Sequence, residues 1–428
     1  MVHVFPGEVH LMNADRKEVV HQSSLSRRAV AVALVLAAIY LIIALPLVHK
    51  QSIDIYDTRD EANFHYPTVI EFRNDFPALD LINYGSPTTP LYHIVVALAG
   101  LVMGPDIVRL RYINLAVSLL CVLVVFNFWW KKGDIAKASL LVAIFALSPY
   151  FLGPAIRLAT DNAALIAVFL TYIVLQTSTL TKSTAIIANL LILVTVLTRQ
   201  IYAWLIPAYV VYAWLQSAMK LNRSFISLTL PVVIPVVGLS VFLSLWGGLT
   251  TPYLPSHTAT SLNWDSPIFV IALLGLYGTF FAPWFYQALP NFSQWRMLIV
   301  VAFLFTVICF LIHPVSNEYT ELIRGGALWL VVSRLPTVFS TSIVLWFLFP
   351  LGLVYSYILL KDSVSRDDYV LVLFYLFCLL SSIINSRTYQ KYYEPFLLFL
   401  LGDFVLRFSG QRKWIYWVGP TFLLVGFL

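Results

Sequence analysis

The densest group of acidic residues in the chain lies near its start, between residues 50 and 86. At its centre stands Asp60-Glu61, and His65 follows four residues after Glu61. If this stretch is helical, Glu61 and His65 share one face. Carboxylates in such a place can deprotonate a hydroxyl or hold a metal ion, and Asp57 just before them is a candidate for contact with substrate. The simpler alternative is an acidic loop in water, although the aromatic residues and prolines of the segment favour order.

A second unusual feature is Arg199-Gln200, which interrupts an apolar stretch between Leu190 and Tyr212. A charged side chain at membrane depth is costly unless it faces a cavity and meets an anion. We therefore expect Arg199 to point into a cavity, with Gln200 beside it. The alternative is an arginine at the end of a span, whose long side chain reaches the interface.

A third polar cluster, Arg387 to Glu394, stands just before an apolar run that begins at Pro395. Within it Arg387 and Lys391 are interleaved with tyrosines, a combination that suits a phosphate or diphosphate headgroup. The tyrosines alone carry little weight, because they are ordinary residues at a membrane interface.

Three more residues could join the same site. Arg324 and Arg334 lie in another long polar loop, and Asp161 lies close to Arg157 at the start of an apolar run. Asp161 is either a carboxylate favoured by the helix dipole or a residue that faces the cavity. Carboxylates in the first loop and cations in later loops fit group transfer from a lipid-phosphate donor.

The composition indicates the solvent in which these residues work. Of the 428 residues, 60% are hydrophobic and 11% are charged, whereas an ordinary soluble domain has about 25% charged residues. With a mean hydropathy of +0.83, lipid must surround much of the chain. The net charge of +6 comes from short clusters beside apolar runs, which is typical of membrane topology and leaves no basic stripe for nucleic acid.

Charge and length predict a topology. The pair Arg27-Arg28 places residues 1–28 in the cytoplasm as a short tail. The apolar run Pro90–Met103 has about 14 residues, fewer than the roughly 20 that a span needs. We therefore expect it to form an interfacial helix that walls the site, inside an outer catalytic loop over residues 49–111.

The remaining apolar runs predict an all-α polytopic membrane protein, with a transmembrane domain over residues 29–428 and about thirteen transmembrane helices. The expected spans are 29–48, 112–130, 138–152, 161–178, 183–198, 201–217, 225–247, 266–286, 297–313, 337–360, 369–385, 395–408 and 414–428.

The first outer loop resembles that of the GT-C membrane glycosyltransferases, and most of all the dolichyl-phosphate-glucose-dependent α-1,2-glucosyltransferases. That family shows Asp-Glu, then Phe-His-x-Pro, then a Thr-Thr-x-Pro-Gly-Leu-Tyr run. The matching segments here are Asp60-Glu61, Phe64-His65-Tyr66-Pro67 and Thr88-Thr89-Pro90-Leu91-Tyr92, with Arg199-Gln200 matching an Arg-Gln at an outer span end and Asn385-Ser386-Arg387-Thr388-Tyr389 loosely matching a late Asn-Arg-His-Tyr. The Gly expected after Pro90 is absent, and the late motif has an inserted residue.

The resemblance implies a GT-C-like bundle that catalyses an inverting displacement on the extracytoplasmic or luminal face. Asp60 would be the general base, with Glu61 and His65 orienting it or the acceptor. The donor phosphate would be bound by Arg199, Gln200, Arg387 and Lys391, with Arg324 and Arg334 in reserve. Candidates for further substrate contacts are Asp57, Asp161, Thr89, Tyr92 and Tyr389.

The expected donor is a polyprenyl-phosphate hexose, with glucose favoured, and the expected acceptor is a lipid-linked or cell-surface glycan. No nucleotide is needed, which agrees with the lack of a Gly-rich phosphate-binding loop. Use of a divalent metal is left open, and no metal ligands are assigned. The membrane would be a bacterial or archaeal cell membrane, or the ER membrane of a eukaryote.

Two other classes stay open from the sequence. A transporter or flippase of a lipid-linked or anionic solute would also use outer cations and an intramembrane Arg, but its site should lie near the bilayer midplane. A non-catalytic assembly subunit would tolerate substitution at Asp60 while binding a stable partner.

Overall fold

The computed structural model describes residues 27–50, 59–252, 262–289, 291–316, 324–408 and 414–428. The tail predicted over residues 1–28 therefore lies almost entirely outside the described residues, and so does Asp57. Within the described ranges the regular structure is almost wholly helical, which confirms the predicted all-α class.

The first half of the chain, through Trp246, contains helices α1 to α11 among its described residues. They are α1 (Arg27–Val48), α2 (Tyr66–Asp75), α3 (Leu91–Met103), α4 (Ile107–Lys132), α5 (Ile135–Leu147), α6 (Pro149–Ala155), α7 (Asp161–Thr177), α8 (Lys182–Thr198), α9 (Leu205–Gln216), α10 (Arg223–Thr229) and α11 (Val233–Trp246). The second half contains α12 (Asp265–Phe280), α13 (Ala282–Ala288), α14 (Phe292–Ile312), α15 (Ala327–Arg334), α16 (Ile343–Ser365), α17 (Tyr369–Ser382), α18 (Glu394–Leu406) and α19 (Ile415–Phe427).

Short elements join these helices. A π-helix covers Glu61–His65, and 3₁₀ turns cover Gln200–Trp204, Leu230–Val232 and Gln390–Tyr392. Strand β1 (Arg324–Gly325) pairs in parallel with β4 (Thr388–Tyr389), and β2 (Thr337–Val338) pairs antiparallel with β3 (Thr341–Ser342). The pairing of β1 with β4 holds two of the long polar loops side by side.

Several helices are long and apolar enough to cross a membrane, so the chain is a multi-pass integral membrane protein. Among the described residues five stretches meet this test, namely Arg27–Val48, Ile107–Lys132, Arg223–Trp246, Phe292–Ile312 and Ile343–Ser365. Two more qualify only as bent pairs, α5 with α6 at 63° and α12 with α13 at 94°. Length and composition thus support five to seven spans.

The other predicted spans fall on shorter helices. The 17 residues of α7 rise about 25 Å at 1.5 Å per residue, less than the roughly 30 Å of a bilayer core. Each predicted span contains helical residues, but the one predicted over 337–360 begins in strands β2 and β3, and its helix α16 starts only at Ile343. The count of thirteen crossings stays a prediction.

The long helix α4 relates the two ends of the bundle. Arg111 near its start binds Glu61 of the acidic loop, and Lys132 at its end binds Asp403 of α18 at 2.5 Å. Arg111 and Lys132 are separated by about 21 helical steps, which correspond to about 32 Å along the helix axis. The acidic loop and the basic end of α4, predicted to lie on opposite sides of the membrane, therefore lie about a bilayer thickness apart.

Helices α12 and α16 pack backbone against backbone. A Cβ atom at Gly275 would lie 2.0 Å from the carbonyl oxygen of Leu348, and one at Gly352 would lie 1.9 Å from that of Ile271. Only glycine fits at either position, as is usual where membrane helices approach closely.

Candidate functional site

A cavity of about 480 Å³ lies where the acidic loop meets the two later polar clusters. Its polar wall carries six side chains that the sequence singled out: Asp60, His65, Asp161, Arg199, Arg387 and Lys391. Gln200 and Tyr389 also line it. The structure therefore brings together residues from four parts of the chain.

The π-helix places Asp60 and His65 on the cavity. The backbone N–H of Tyr66 donates to the carbonyl of Glu61, an i to i+5 bond that widens the turn. Asp60, Phe64 and His65 all line the cavity. Glu61, which was expected to share a face with His65, does not line the cavity.

Asp60 is paired with Lys391 across 331 residues of sequence. The Lys391 Nζ lies 2.6 Å from the Asp60 Oδ2, and the Asp60 side chain keeps 35% of its surface exposed. Burial acts to raise the pKa of Asp60, but the charge and hydrogen bond of Lys391, helped by Arg199, outweigh it and lower that pKa. Asp60 is therefore ionised at neutral pH and open to the cavity.

Asp161 and Arg199 form a second ion pair on the same wall. Asp161 is the first residue of α7, and Arg199 directly follows the last residue of α8. The Arg199 guanidinium also stacks 4.6 Å from the ring centre of Tyr392. Since Arg199 is only 7% exposed, the structure favours the cavity interpretation over an arginine that reaches the interface.

Arg387 supplies positive charge beyond these two pairs. It is half-buried, its guanidinium carbon lies 5.9 Å from the ring centre of Tyr389, and no carboxylate of the described chain lies within ion-pair distance of it. Among the described residues that line the cavity, three cations thus face two carboxylates. The wall is suited to an anionic ligand.

His65 is neutral in this setting. Burial lowers its pKa to about 4, against the opposing fields of Asp60 and Asp161. Its Nδ1 lies 3.0 Å from Nε2 of His93, a residue of α3 that the sequence did not single out. A lone His in an apolar run gives no signal of this contact.

Glu61 lies outside the cavity in a buried ion pair. Its Oε1 accepts hydrogen bonds of 2.8 Å from Nε of Arg111 and from the backbone N–H of Leu158. Arg157 places Nη1 3.8 Å from its other oxygen. Glu61 thus does not face the cavity; its contacts hold the π-helix against α4 and the segment at Leu158. Arg111 and Arg157 could have been found from the sequence, because arginines within apolar runs need carboxylate partners.

Gln200 and Thr89 tie loops together. The Gln200 amide donates to the carbonyls of Pro87 at 2.7 Å and Leu249 at 2.8 Å. Its oxygen accepts the Thr89 N–H at 3.1 Å, and the Thr89 hydroxyl donates to the Val196 carbonyl at 2.7 Å. Thr89 is thereby fully buried and does not line the cavity.

Other residues expected at the site lie elsewhere. Arg324 pairs with Asp265 and stacks 4.9 Å from the Trp329 ring, while Arg334 is exposed at the end of α15. Tyr92 is buried behind His65, with the two ring centres 6.4 Å apart. No residue of α3 lines the cavity, so this helix does not wall the site as expected.

The carboxylates of the cavity are engaged with cations. Among the described residues, no three His, Cys, Asp or Glu side chains are grouped closely enough to hold a metal ion. A divalent cation at Asp60 or Asp161 would have to compete with Lys391 or Arg199.

No protein-family model and no curated protein matches the chain. Among solved structures it is similar to ArnT from Cupriavidus metallidurans bound to undecaprenyl phosphate, with a TM-score of 0.42, 12% identity, and coverage of 89% of this chain and 78% of that one. For the apo state of the same protein the TM-score is 0.42 and the identity is 12%, with coverage of 90% of this chain and 78% of that one. For an oligosaccharyltransferase from Archaeoglobus fulgidus in complex with Zn and sulfate the TM-score is 0.37 and the identity is 13%, with coverage of 90% of this chain and 54% of that one. At these TM-scores the likeness decides nothing about the activity of this chain.

The buried pair predicts a stability effect at Glu61. Glu61→Gln removes the negative charge and leaves Arg111 and Arg157 without it, which should cost about 3–5 kcal/mol. The midpoint of thermal unfolding in detergent should fall accordingly. The control is Asp75→Asn, an equal change at an exposed carboxylate of α2; equal midpoints for the two variants would contradict the assigned role of Glu61.

Proposed function

We propose that this chain is a GT-C-like membrane glycosyltransferase. It transfers a hexose, with glucose favoured, from a polyprenyl-phosphate donor to a hydroxyl of a lipid-linked or cell-surface glycan on the extracytoplasmic or luminal face. The observation that carries the proposal is one cavity that combines the ionised Asp60 with the additional cation Arg387. The motifs over residues 60–92 support the same class.

The apolar wall of the cavity suits the lipid part of such a donor. It is formed by Trp204, Pro207, Phe377, Leu380 and Ile384. Leu380 and Ile384 are 57% and 56% exposed, and exposed apolar side chains of a membrane protein face lipid. An isoprenoid chain could therefore leave the cavity along this wall while its phosphate stays with the cations.

In the proposed reaction, Asp60 takes the proton of the acceptor hydroxyl as that oxygen attacks the anomeric carbon. The bond from this carbon to the phosphate oxygen breaks, and the polyprenyl phosphate leaves with the electron pair. Arg387 and Lys391 stabilise the charge that develops on the leaving oxygen. Attack opposite the leaving group inverts the anomeric centre.

Asp60→Asn should abolish transfer while leaving donor binding intact, because the amide keeps the size of the side chain but cannot accept the proton. A loss of about 10²- to 10⁴-fold is expected for a general base. The assay uses purified protein in nanodiscs with radiolabelled polyprenyl-phosphate glucose and mixed lipid-linked acceptors, with mannose and arabinose donors in parallel. Asp75→Asn is the control, and full activity of the Asp60 variant would remove Asp60 from the base role.

Arg387→Ala should weaken binding of the polyprenyl phosphate itself. Losing a hydrogen bond to a charged phosphate costs about 1.5–3 kcal/mol, which is about a ten- to hundredfold rise in Kd. Native mass spectrometry of the protein titrated with undecaprenyl or dolichyl phosphate measures this. Arg223→Ala removes the same charge from an exposed position of α10 away from the cavity; the same Kd for both variants would count against phosphate binding at Arg387.

If none of the three donors supports transfer, the transporter or flippase becomes the favoured class. A liposome flux assay with the lipid-linked solute then separates the classes, since flux would require no transfer and would persist in Asp60→Asn.

A further inference from the structure

Two buried histidines are in contact at the cavity wall, where His65 lines the cavity and His93 lies behind it. His65 Nδ1 lies 3.0 Å from His93 Nε2, with the ring centres 5.2 Å apart and the ring planes 25° from parallel. His65 is 6% exposed and His93 is fully buried. Between two neutral imidazoles only one nitrogen can donate, so a single hydrogen lies in this contact.

The surroundings keep both rings neutral. His93 is enclosed by the rings of Phe72, Tyr84 and Tyr92, at centre distances of 6.5, 6.4 and 5.4 Å. Burial holds the pKa of His93 well below its usual value.

The groups whose fields reach His65 offset one another. Asp60 and Asp161 favour its protonation, while Lys391 and Arg199 oppose it. Burial is the largest influence and lowers its pKa to about 4. His65 therefore stays neutral at physiological pH, and its remaining freedom is which nitrogen carries the hydrogen.

The hydrogen in this contact is donated either by His65 or by His93, and the other ring nitrogen of His93 distinguishes the two arrangements. His93 Nδ1 is buried and has no hydrogen-bond partner among the described residues. If His65 donated to His93, the hydrogen of His93 would sit on Nδ1 as a buried donor without an acceptor. If His93 donates instead, Nδ1 is only a bare lone pair, and buried donors without partners are rarer than under-satisfied acceptors.

We propose that His93 is a positioning residue that donates Nε2–H to His65 Nδ1 and so fixes His65 with its own hydrogen on Nε2. His65 then acts in the cavity as a hydrogen-bond donor to a hydroxyl or phosphate oxygen of the substrate, not as a base. The substrate part of this inference rests on the proposed function. The tautomer part rests on the contact alone.

The test uses ¹⁵N NMR under magic-angle spinning on the full chain in lipid, with ¹⁵N-labelled histidine. The His65 signals are assigned by their loss in His65→Gln. We expect a protonated Nε2 and a bare Nδ1 in the wild type, a mixture of tautomers in His93→Phe, and the wild-type pattern in His93→Gln, whose amide can still donate. Hydrogen on Nδ1 in the wild type, or one unchanged tautomer in His93→Phe, would overturn the proposal.

Transfer kinetics provide the second readout. Loss of one oriented hydrogen bond should lower kcat/KM about two- to tenfold in His93→Phe, and His93→Gln should restore it. Equal activity of the two variants would overturn the role of His65 toward substrate. If the spectra behave as expected but the wild type transfers no sugar, the proposed function fails and the tautomer assignment stands. If the wild type transfers sugar but the spectra differ from those expected, the inference on His93 fails and the proposed function stands.

Discussion

The buried contact between Glu61 and Arg111 is the constraint on which the site depends. Arg111 belongs to α4, the helix that runs the length of the bundle, and it also donates to the carbonyl of Val48 at the end of α1 at 2.9 Å. Glu61 accepts the N–H of Leu158 in addition. The Glu61–Arg111 pair thus joins the π-helix to α4, to the end of α1 and to the segment at Leu158. Because charges buried in this way must be paired, the position of the neighbouring Asp60 is set by the helices and not by a free loop.

Much of the site could be predicted because charge is rare in a chain that must dissolve in lipid. Arg199 stood out within an apolar run, and Arg387 and Lys391 stood out before the span at Pro395. The cost of burying such groups forces them toward one another or toward a cavity, and this holds even for Asp60 and Lys391, which are 331 residues apart. The helices followed from the length of the apolar runs for the same physical reason.

The remainder could not be predicted because it depends on partners distant in sequence and on local backbone geometry. Asp60 and Glu61 are adjacent carboxylates, and only the π-turn and the presence of Arg111, 50 residues away, decide which one faces the cavity. Arg324, a reserve candidate for phosphate binding, is instead paired with Asp265, a partner that the sequence does not indicate. The bends of α5 with α6 and of α12 with α13 likewise interrupt apolar runs that read as straight spans.

The contact between Asp60 and Lys391 links the two parts of the proposed chemistry, removal of the acceptor proton and departure of the phosphate. A carboxylate whose pKa is held low by an ammonium group is ionised but is a weak base. A phosphate that binds at Arg387 and Lys391 would share the charge of Lys391 and add negative charge near Asp60, and both effects raise the pKa of Asp60. The base would therefore gain strength as the donor arrives. The same lysine that stabilises the leaving phosphate would restrain Asp60 while the cavity holds no donor.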